Sequence, residues 1–442
     1  MTVRAERAES ALPARAALAA AAVRTGNRLS RLLARGSGTV VGGRAGLLVD
    51  PHLLENLAQG RAVALVTGTN GKTTVTRMLV AALEGASCGA VATNATGANM
   101  PAGHVAALVA SPRAQIAVLE VDESYLGQLV EGGEPKVVVL LNLSRDQLDR
   151  IAEVRMLVER WRTALCASGP DERGQGPVVV ANADDPMVAW AAQAAHRVRW
   201  VGAGQVWRDD AAGCPACGGQ IDFGDGGKWA CERCDFARPE PVAWLEGDEL
   251  VLADGARRRL DLGLPGQFNR ANALMAAIAA ISMLEPRSTG ESPSMAELDP
   301  IVAHVASVEE VAGRFSVARR RGRPVRLLLA KNPAGWTAVF DLLDEEPVAS
   351  AAVAVAINAR TADGLDPSWL WDVPFERLRG RTVVATGDRR LDLAVRLHYA
   401  EVDHVVVADP LDALDQAAAA TLDGSVDFLG NYTAFADLRR RL

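Results

Sequence analysis

The stretch RAVALVTGTNGKTTVTRMLVAALEG, residues 61–85, decides how the rest of the chain is read. Residues 61–66 are a short apolar, strand-like run ending at a glycine-rich turn. TTVTRMLVAALEG has helical spacing. Between them lies TGTNGKTT (67–74), a glycine-rich turn carrying a lysine. In a strand–loop–helix unit, glycines let the backbone wrap close to phosphates, and the first helical amides point at the anion. Lys72 would reach the β and γ phosphates, and Thr73 would hold Mg²⁺ through its hydroxyl. The eight-residue pattern of the common phosphate loop needs glycine at 66, where this chain has Val66, so the loop is a shortened variant. The chain has only four lysines, Lys72, Lys136, Lys228 and Lys331. A lysine at this position is therefore a strong signal.

Outward from the loop, strand-like runs recur at 115–122, 136–144, 176–185 and 197–204, with helical stretches between them. That alternation predicts α/β architecture with a parallel sheet covered on both faces. After residue 240 come short β-like pieces and a long alanine-rich helix, NRANALMAAIAAISMLE (269–285). The polar segment PRSTGESPSM (286–295) reads as a loop near a domain boundary. A second α/β series starts near 315, with strands at 324–330, 350–358, 381–387 and 404–409, and a further run SVDFLG. The expected division is an N-terminal helical segment (1–44), a central ATP-binding domain (45–305) with an insert at about 205–240, and a smaller Rossmann-like C-terminal α/β domain (306–442).

The insert contains CPACGGQIDFGDGGKWACERC (214–234), two C-x₂-C pairs separated by thirteen residues. Each pair aims two thiolates at one point, and four thiolates make a closed tetrahedral Zn²⁺ site. Cys214, Cys217, Cys231 and Cys234 are thus the expected ligands of a structural zinc ribbon. A matched double pair argues against a redox dithiol. Lys228 and Arg233 are outnumbered by Asp222, Asp225, Glu232 and Asp235, which argues against a nucleic-acid-binding ribbon.

VTGTNGKTTV resembles the ATP loop of the Mur ligase superfamily, whose members activate a carboxylate as an acyl phosphate for attack by an amine. Further segments resemble that superfamily in order: VLEVDES (118–124), LNLSRDQLDR (141–150), NADDP (182–186), GQFNRANALMA (266–276) and AGRF (312–315). The resemblance implies Mg²⁺ binding by Glu120 with Thr73, and ATP contacts from Gly68, Thr69, Asn70, Gly71, Lys72, Thr73, Thr74, Asn269, Asn272 and Arg314. Two positions depart from it: Gln147 and Phe268 stand where histidine is usual. No lysine occurs from 137 to 227, where amino-acid-adding members carry a carbamylated one. The inserted ribbon, that missing lysine and the segments NARTADGLDPSWLWDVPFE (358–376), TGDRRLDLAVRLHYAEVD (386–403) and NYTAF (431–435) resemble the MurT family of ligase subunits. This second resemblance implies a GatD-like glutamine amidotransferase as heterodimer partner. It also implies lipid II as substrate, with amidation of the α-carboxylate of its D-glutamate to D-isoglutamine. An aspartate of ADGLDPSWLWD, Asp366 or Asp363, would complete the partner's cysteine–histidine pair. Lys72 and Glu120 would serve the phosphoryl transfer.

Composition sets the remaining bounds. The 442 residues exceed one typical core, and the net charge of −7 excludes bulk electrostatic binding to nucleic acid. Cys88 and Cys166 stand alone outside the ribbon, so no disulfide framework is expected and the compartment reads as reducing and cytoplasmic. Nothing approaches the roughly 18 apolar residues of a membrane span, so membrane contact would come through the lipid-linked substrate at the inner membrane face. ESALPARAALAAAAVRTGNRLSRLLARG, near the start, has transit-peptide-like composition, and reads first as an amphipathic helix packed on the first domain. The competing functions are a Mur or folylpolyglutamate synthase-like amino-acid-adding ligase and a zinc-ribbon nucleic-acid-binding ATPase.

Overall fold

The computed structural model describes residues 12–32, 39–86, 88–94, 98–145, 154–169, 176–205, 207–285, 293–309, 315–345, 352–421 and 425–442. Two sheets carry the architecture. The first has nine strands, with Ala62–Thr67 third from one edge. Ile116–Glu120 pairs with it in parallel on one side and Val137–Leu140 on the other. Val91–Thr93 closes the first edge. Val178–Asn182, Val198–Gly202 and Ala243–Glu246 continue the parallel order on the second side. Glu249–Leu252 and Arg257–Arg259 end that side as antiparallel strands. Strand order reverses direction at Ala62–Thr67, so the loop that follows it opens at the switch point of the sheet, where doubly wound folds leave a crevice.

Alternation along Ala62–Thr67 divides the core. Leu65 points into the cluster beneath helices Ala14–Leu32, Pro101–Ala110, Leu126–Gly133 and Val154–Ala167. Ala64 and Val66 point into the other, beneath Lys72–Gly85, Gln267–Leu284 and Met295–Ala306. Helix Gln267–Leu284 buries thirteen of its eighteen residues. It is alanine-rich and apolar nearly all round, as a helix packed on several sides must be. The N-terminal helix Ala14–Leu32 buries Ala16, Ala19, Ala20 and Val23 in the first cluster. No helix among the described residues is long and apolar enough to cross a membrane.

The second sheet has six strands, in the order Phe315–Arg320, Arg323–Leu329, Val426–Gly430, Ala352–Ala356, Val383–Thr386, His404–Val406. The first two form a tight antiparallel hairpin through Arg321 and Gly322, at φ +49° and +81°. The other pairings are parallel. Phe268 and Phe315 pack against the core of this second sheet, and Asn70 donates to Asn332 across the crevice at 3.2 Å. The phosphate-loop side of the first sheet therefore faces the second.

Candidate functional site

The loop after Ala62–Thr67 is built on two left-handed glycines. Gly68 has φ +138° and Gly71 φ +89°. A Cβ on Gly71 would lie 2.4 Å from Asn272 Oδ1, and one on Gly68 2.9 Å from the Asn142 carbonyl, so both positions require glycine. The rest of the loop is tied to the segment after strand Val137–Leu140. Thr69 Oγ1 donates to the Ser144 carbonyl and accepts from the Ser144 amide, each at 3.0 Å. The Asn70 amide donates to Asn142 Oδ1 at 2.9 Å, and Asn142 Nδ2 returns a bond to the Asn70 carbonyl at 3.0 Å.

Lys72 opens the following helix and is buried. Its Nζ donates to the Gly68 carbonyl at 2.5 Å and pairs with Glu123 at 2.9 Å. Thr73 Oγ1 donates to Glu120 Oε2 at 2.8 Å, which brings together the two residues expected to share a metal. Two residues the sequence reading passed over fix Glu120. The Asn94 side chain accepts from the Glu120 amide and donates to its carbonyl, both at 2.8 Å. His104 Nε2 donates to the same carbonyl at 2.8 Å. The His104 ring is fully buried, and its Nδ1 has no hydrogen-bond partner. Burial holds its pKa down to about 4. No spacing signal could have flagged this pair, because only the sheet brings 94, 104 and 120 together.

From the loop a pocket runs into the crevice. Asn70, Asn142, Asn269, Asn272 and Gln205 give its lining polar groups, and Phe268, Phe315 and Leu328 apolar ones, with Gly71 and Trp207 also in the wall. Asn269 and Asn272 are both buried, and Asn269 Nδ2 donates to the Pro265 carbonyl at 2.6 Å. Asp185 is also in the lining; burial pushes its carboxyl up to about 6 against three backbone amides that donate to it. Arg314 and Gln147 lie outside the described residues.

The four expected cysteines converge. Their sulfurs all lie within 4.8 Å of one another. The Cys214–Cys234 and Cys217–Cys231 separations are 3.8 and 3.5 Å. Tetrahedral Zn²⁺ with Zn–S bonds of about 2.3 Å needs sulfurs about 3.8 Å apart, so the donor set and its size fit that ion. A Cβ on Gly219 would lie 3.2 Å from Cys231 Sγ and 3.3 Å from Cys217 Sγ, leaving room there only for the ligands. The Gly219 amide donates to Cys217 and holds its thiol down to about 6.

The two C-terminal aspartates separate by environment. Asp363 is buried and accepts from the Thr433 amide at 2.8 Å, from the Thr433 hydroxyl and from the Arg360 amide. Asp366 is exposed. The Ser368 amide, at 2.9 Å, holds its carboxyl below the usual carboxylate range, and Arg389 adds to the effect. Leu391, Val395 and Tyr399 share one face of helix Arg390–Tyr399 and are all exposed. The Tyr399 ring packs edge-on against exposed Trp371 at 5.5 Å. Trp369, by contrast, is buried and stacks on Trp336.

The fold and the loop define a Mur-ligase-type α/β chain, and comparison with known proteins agrees. A model of the Mur ligase middle domain matches residues 66–215, and a model of the MurT ligase C-terminal domain matches residues 329–435. Over nearly its whole length the chain resembles MurT subunits. It is 27% identical over 428 residues to the lipid II isoglutaminyl synthase (glutamine-hydrolyzing) subunit MurT of Staphylococcus aureus, covering 92% of this chain and 93% of that one. It is 28% identical over 400 residues to the MurT subunit of Streptococcus pneumoniae, covering 84% and 83%. Among solved structures it is similar in fold to a pseudomurein peptide ligase type C from Methanothermus fervidus (TM-score 0.62, 18% identity, 88% of this chain and 81% of that one). MurF from Acinetobacter baumannii is similar too (TM-score 0.60, 18% identity, 90% and 80%).

Proposed function

We propose that this chain is the ATP-dependent ligase subunit of a lipid II isoglutaminyl synthase, working with a GatD-like glutamine amidotransferase. In this reading the chain divides into the helical segment 1–44, the ATP-binding domain 45–305 with its zinc ribbon, and the C-terminal domain 306–442. ATP lies along the pocket, with its phosphates on the amides of residues 71–74 at the helix start and its remainder toward Asn269 and Asn272. Thr73 and Glu120, joined by their hydrogen bond, would hold Mg²⁺, which would offset charge on the phosphates. Lys72, which pairs with Glu123, turns to the transferred phosphate, where its charge offsets that of the transition state. The α-carboxylate oxygen of D-glutamate attacks the γ phosphorus, and the bond from that phosphorus to ADP breaks. Ammonia then attacks the acyl carbon and loses a proton, and inorganic phosphate leaves with the electron pair of the carbon–oxygen bond.

Ammonia is supplied by the partner. The observation that carries this part is the contrast between the two aspartates. Asp363 has its carboxylate engaged inside the fold, whereas Asp366 is anionic, exposed and placed in a segment whose Trp371 joins an uncovered apolar helix face. Asp366 is therefore the residue that would orient the partner's histidine. The reading is tested by incubating the co-expressed pair with lipid II, ATP and glutamine and weighing the stem peptide. The expected product has an amide in place of one hydroxyl, and unchanged lipid II from a stable, ATP-consuming complex would sink the proposal.

A further inference from the structure

We propose that the cysteine ribbon is a positioning element for the nucleotide pocket, so that metal loading at the four cysteines sets nucleotide affinity. This inference rests on the reading of the crevice as a nucleotide site. Two independent lines of contact connect ribbon and pocket.

The first runs through residues 183–185. Trp229, on the ribbon hairpin, donates through Nε1 to the Ala183 carbonyl at 2.9 Å. Arg238, at the ribbon's exit, pairs with Asp184 at 2.6 Å. The other Asp184 oxygen accepts from the Gly204 amide at 2.6 Å, on the strand end that leads into the insert. The next residue, Asp185, lines the pocket and accepts from the Leu143 amide at 2.9 Å. Leu143 lies one residue after Asn142, which holds the phosphate loop. The chain of bonds is thus ribbon, Asp184, Asp185, Leu143, phosphate loop.

The second line runs through Asp210, at the start of the insert. It accepts from Trp207 Nε1 at 2.8 Å, and Trp207 is itself a pocket wall. Asp210 also accepts from the Arg145 amide and guanidinium, at 2.9 and 2.6 Å, next to Ser144 of the same loop-holding segment. The cysteines are packed into this arrangement. Cys214 is buried with Ile221, Trp229, Phe236 and Ala189, the last from the helix that Asp185 caps.

A four-thiolate site folds its ribbon when metal binds and releases it when metal leaves. Release would free Trp229 and Arg238, leaving the Ala183 carbonyl without its side-chain donor and the buried Asp184 carboxylate without its cation, held only by the Gly204 amide at the pocket edge. The ribbon thereby holds the 183–185 turn at one geometry.

The test is titration calorimetry of the full zinc-loaded chain with AMPPNP and Mg²⁺, with zinc per chain counted by mass spectrometry. Wild type is compared with itself after a zinc-selective chelator, with the double variant Trp229→Phe/Arg238→Met, and with the milder Trp229→Phe alone. The phenylalanine keeps the aromatic packing and removes only the donor. The coupling predicts a rise in Kd of about fivefold or more on chelation, and a rise of that order in the double variant while it still holds its zinc. Kd values within twofold of wild type in the chelated chain and in both variants would overturn the coupling and leave the nucleotide reading standing. Failure of the loaded wild type to bind AMPPNP would overturn the nucleotide reading, and the coupling with it.

Discussion

His104 offers a quantitative check on how Glu120 is held. Its Nε2–H is committed to the Glu120 carbonyl, and the buried Nδ1 has no acceptor to receive a second proton. The imidazole is therefore neutral in the fold, with a pKa near 4 against 6.5 in the unfolded chain. Between those values the unfolded state binds more protons, so stability rises with pH. The contribution is complete above pH 6.5 and is lost as pH falls toward 4. At about 1.4 kcal/mol for each tenfold in proton affinity, the full difference is about 3 kcal/mol. His104→Gln keeps a side-chain N–H able to reach the Glu120 carbonyl and removes the titration. Urea unfolding of both proteins in matched buffers from pH 7.5 to 4 isolates the effect, because every other group is common to the pair. Asp185, whose raised pKa gives the opposite slope between about 4 and 6, cancels in the difference. Relative to the variant, wild type should lose about 3 kcal/mol across the window. Parallel profiles for the two proteins would refute the account of a neutral, buried positioning histidine.

Four further outcomes follow from the geometry. Gly71→Ala places a Cβ 2.4 Å from Asn272 Oδ1 at a left-handed backbone position, which costs about 1–2 kcal/mol in the backbone alone. AMPPNP binding, measured by calorimetry, should fall below detection in that variant. Lys72→Met should lower ATP turnover in the complex by about 10²–10³-fold, as loss of a transition-state contact does. Asp363→Asn removes the charge from a buried hydrogen-bonded carboxylate and should destabilise the C-terminal sheet by about 1.5–3 kcal/mol in urea. Asp366→Asn, which is exposed, should unfold as wild type does.

The strand Ala62–Thr67, the phosphate loop and the helix were legible because each is local: a short apolar run, glycines at fixed places and a lysine in a chain that has few. The cysteine cluster was legible for the same reason, since spacing alone sets which sulfurs can meet. Strand Val91–Thr93 is too short to show a period, and helix Pro101–Ala110 is apolar all round, so neither gave a pattern to read. Asn94 and His104 reach Glu120 only through tertiary contact, and Arg238 reaches Asp184 across 54 residues of chain. The two aspartates of ADGLDPSWLWD could not be told apart by sequence, because DG and DP both favour turns. Burial separates them: the Thr433 contacts take Asp363 into the fold.

The most direct test is lipid II amidation by the complex of Asp366→Asn with its amidotransferase, run once with glutamine and once with ammonium as the nitrogen source. The account predicts loss of the amidated stem peptide with glutamine and its recovery with ammonium, because the ligase site is intact and only the partner's histidine is unsupported. Full activity with glutamine in Asp366→Asn would contradict the assignment of that residue. Absence of amidated product from the wild-type complex with either nitrogen source would contradict the proposed function itself.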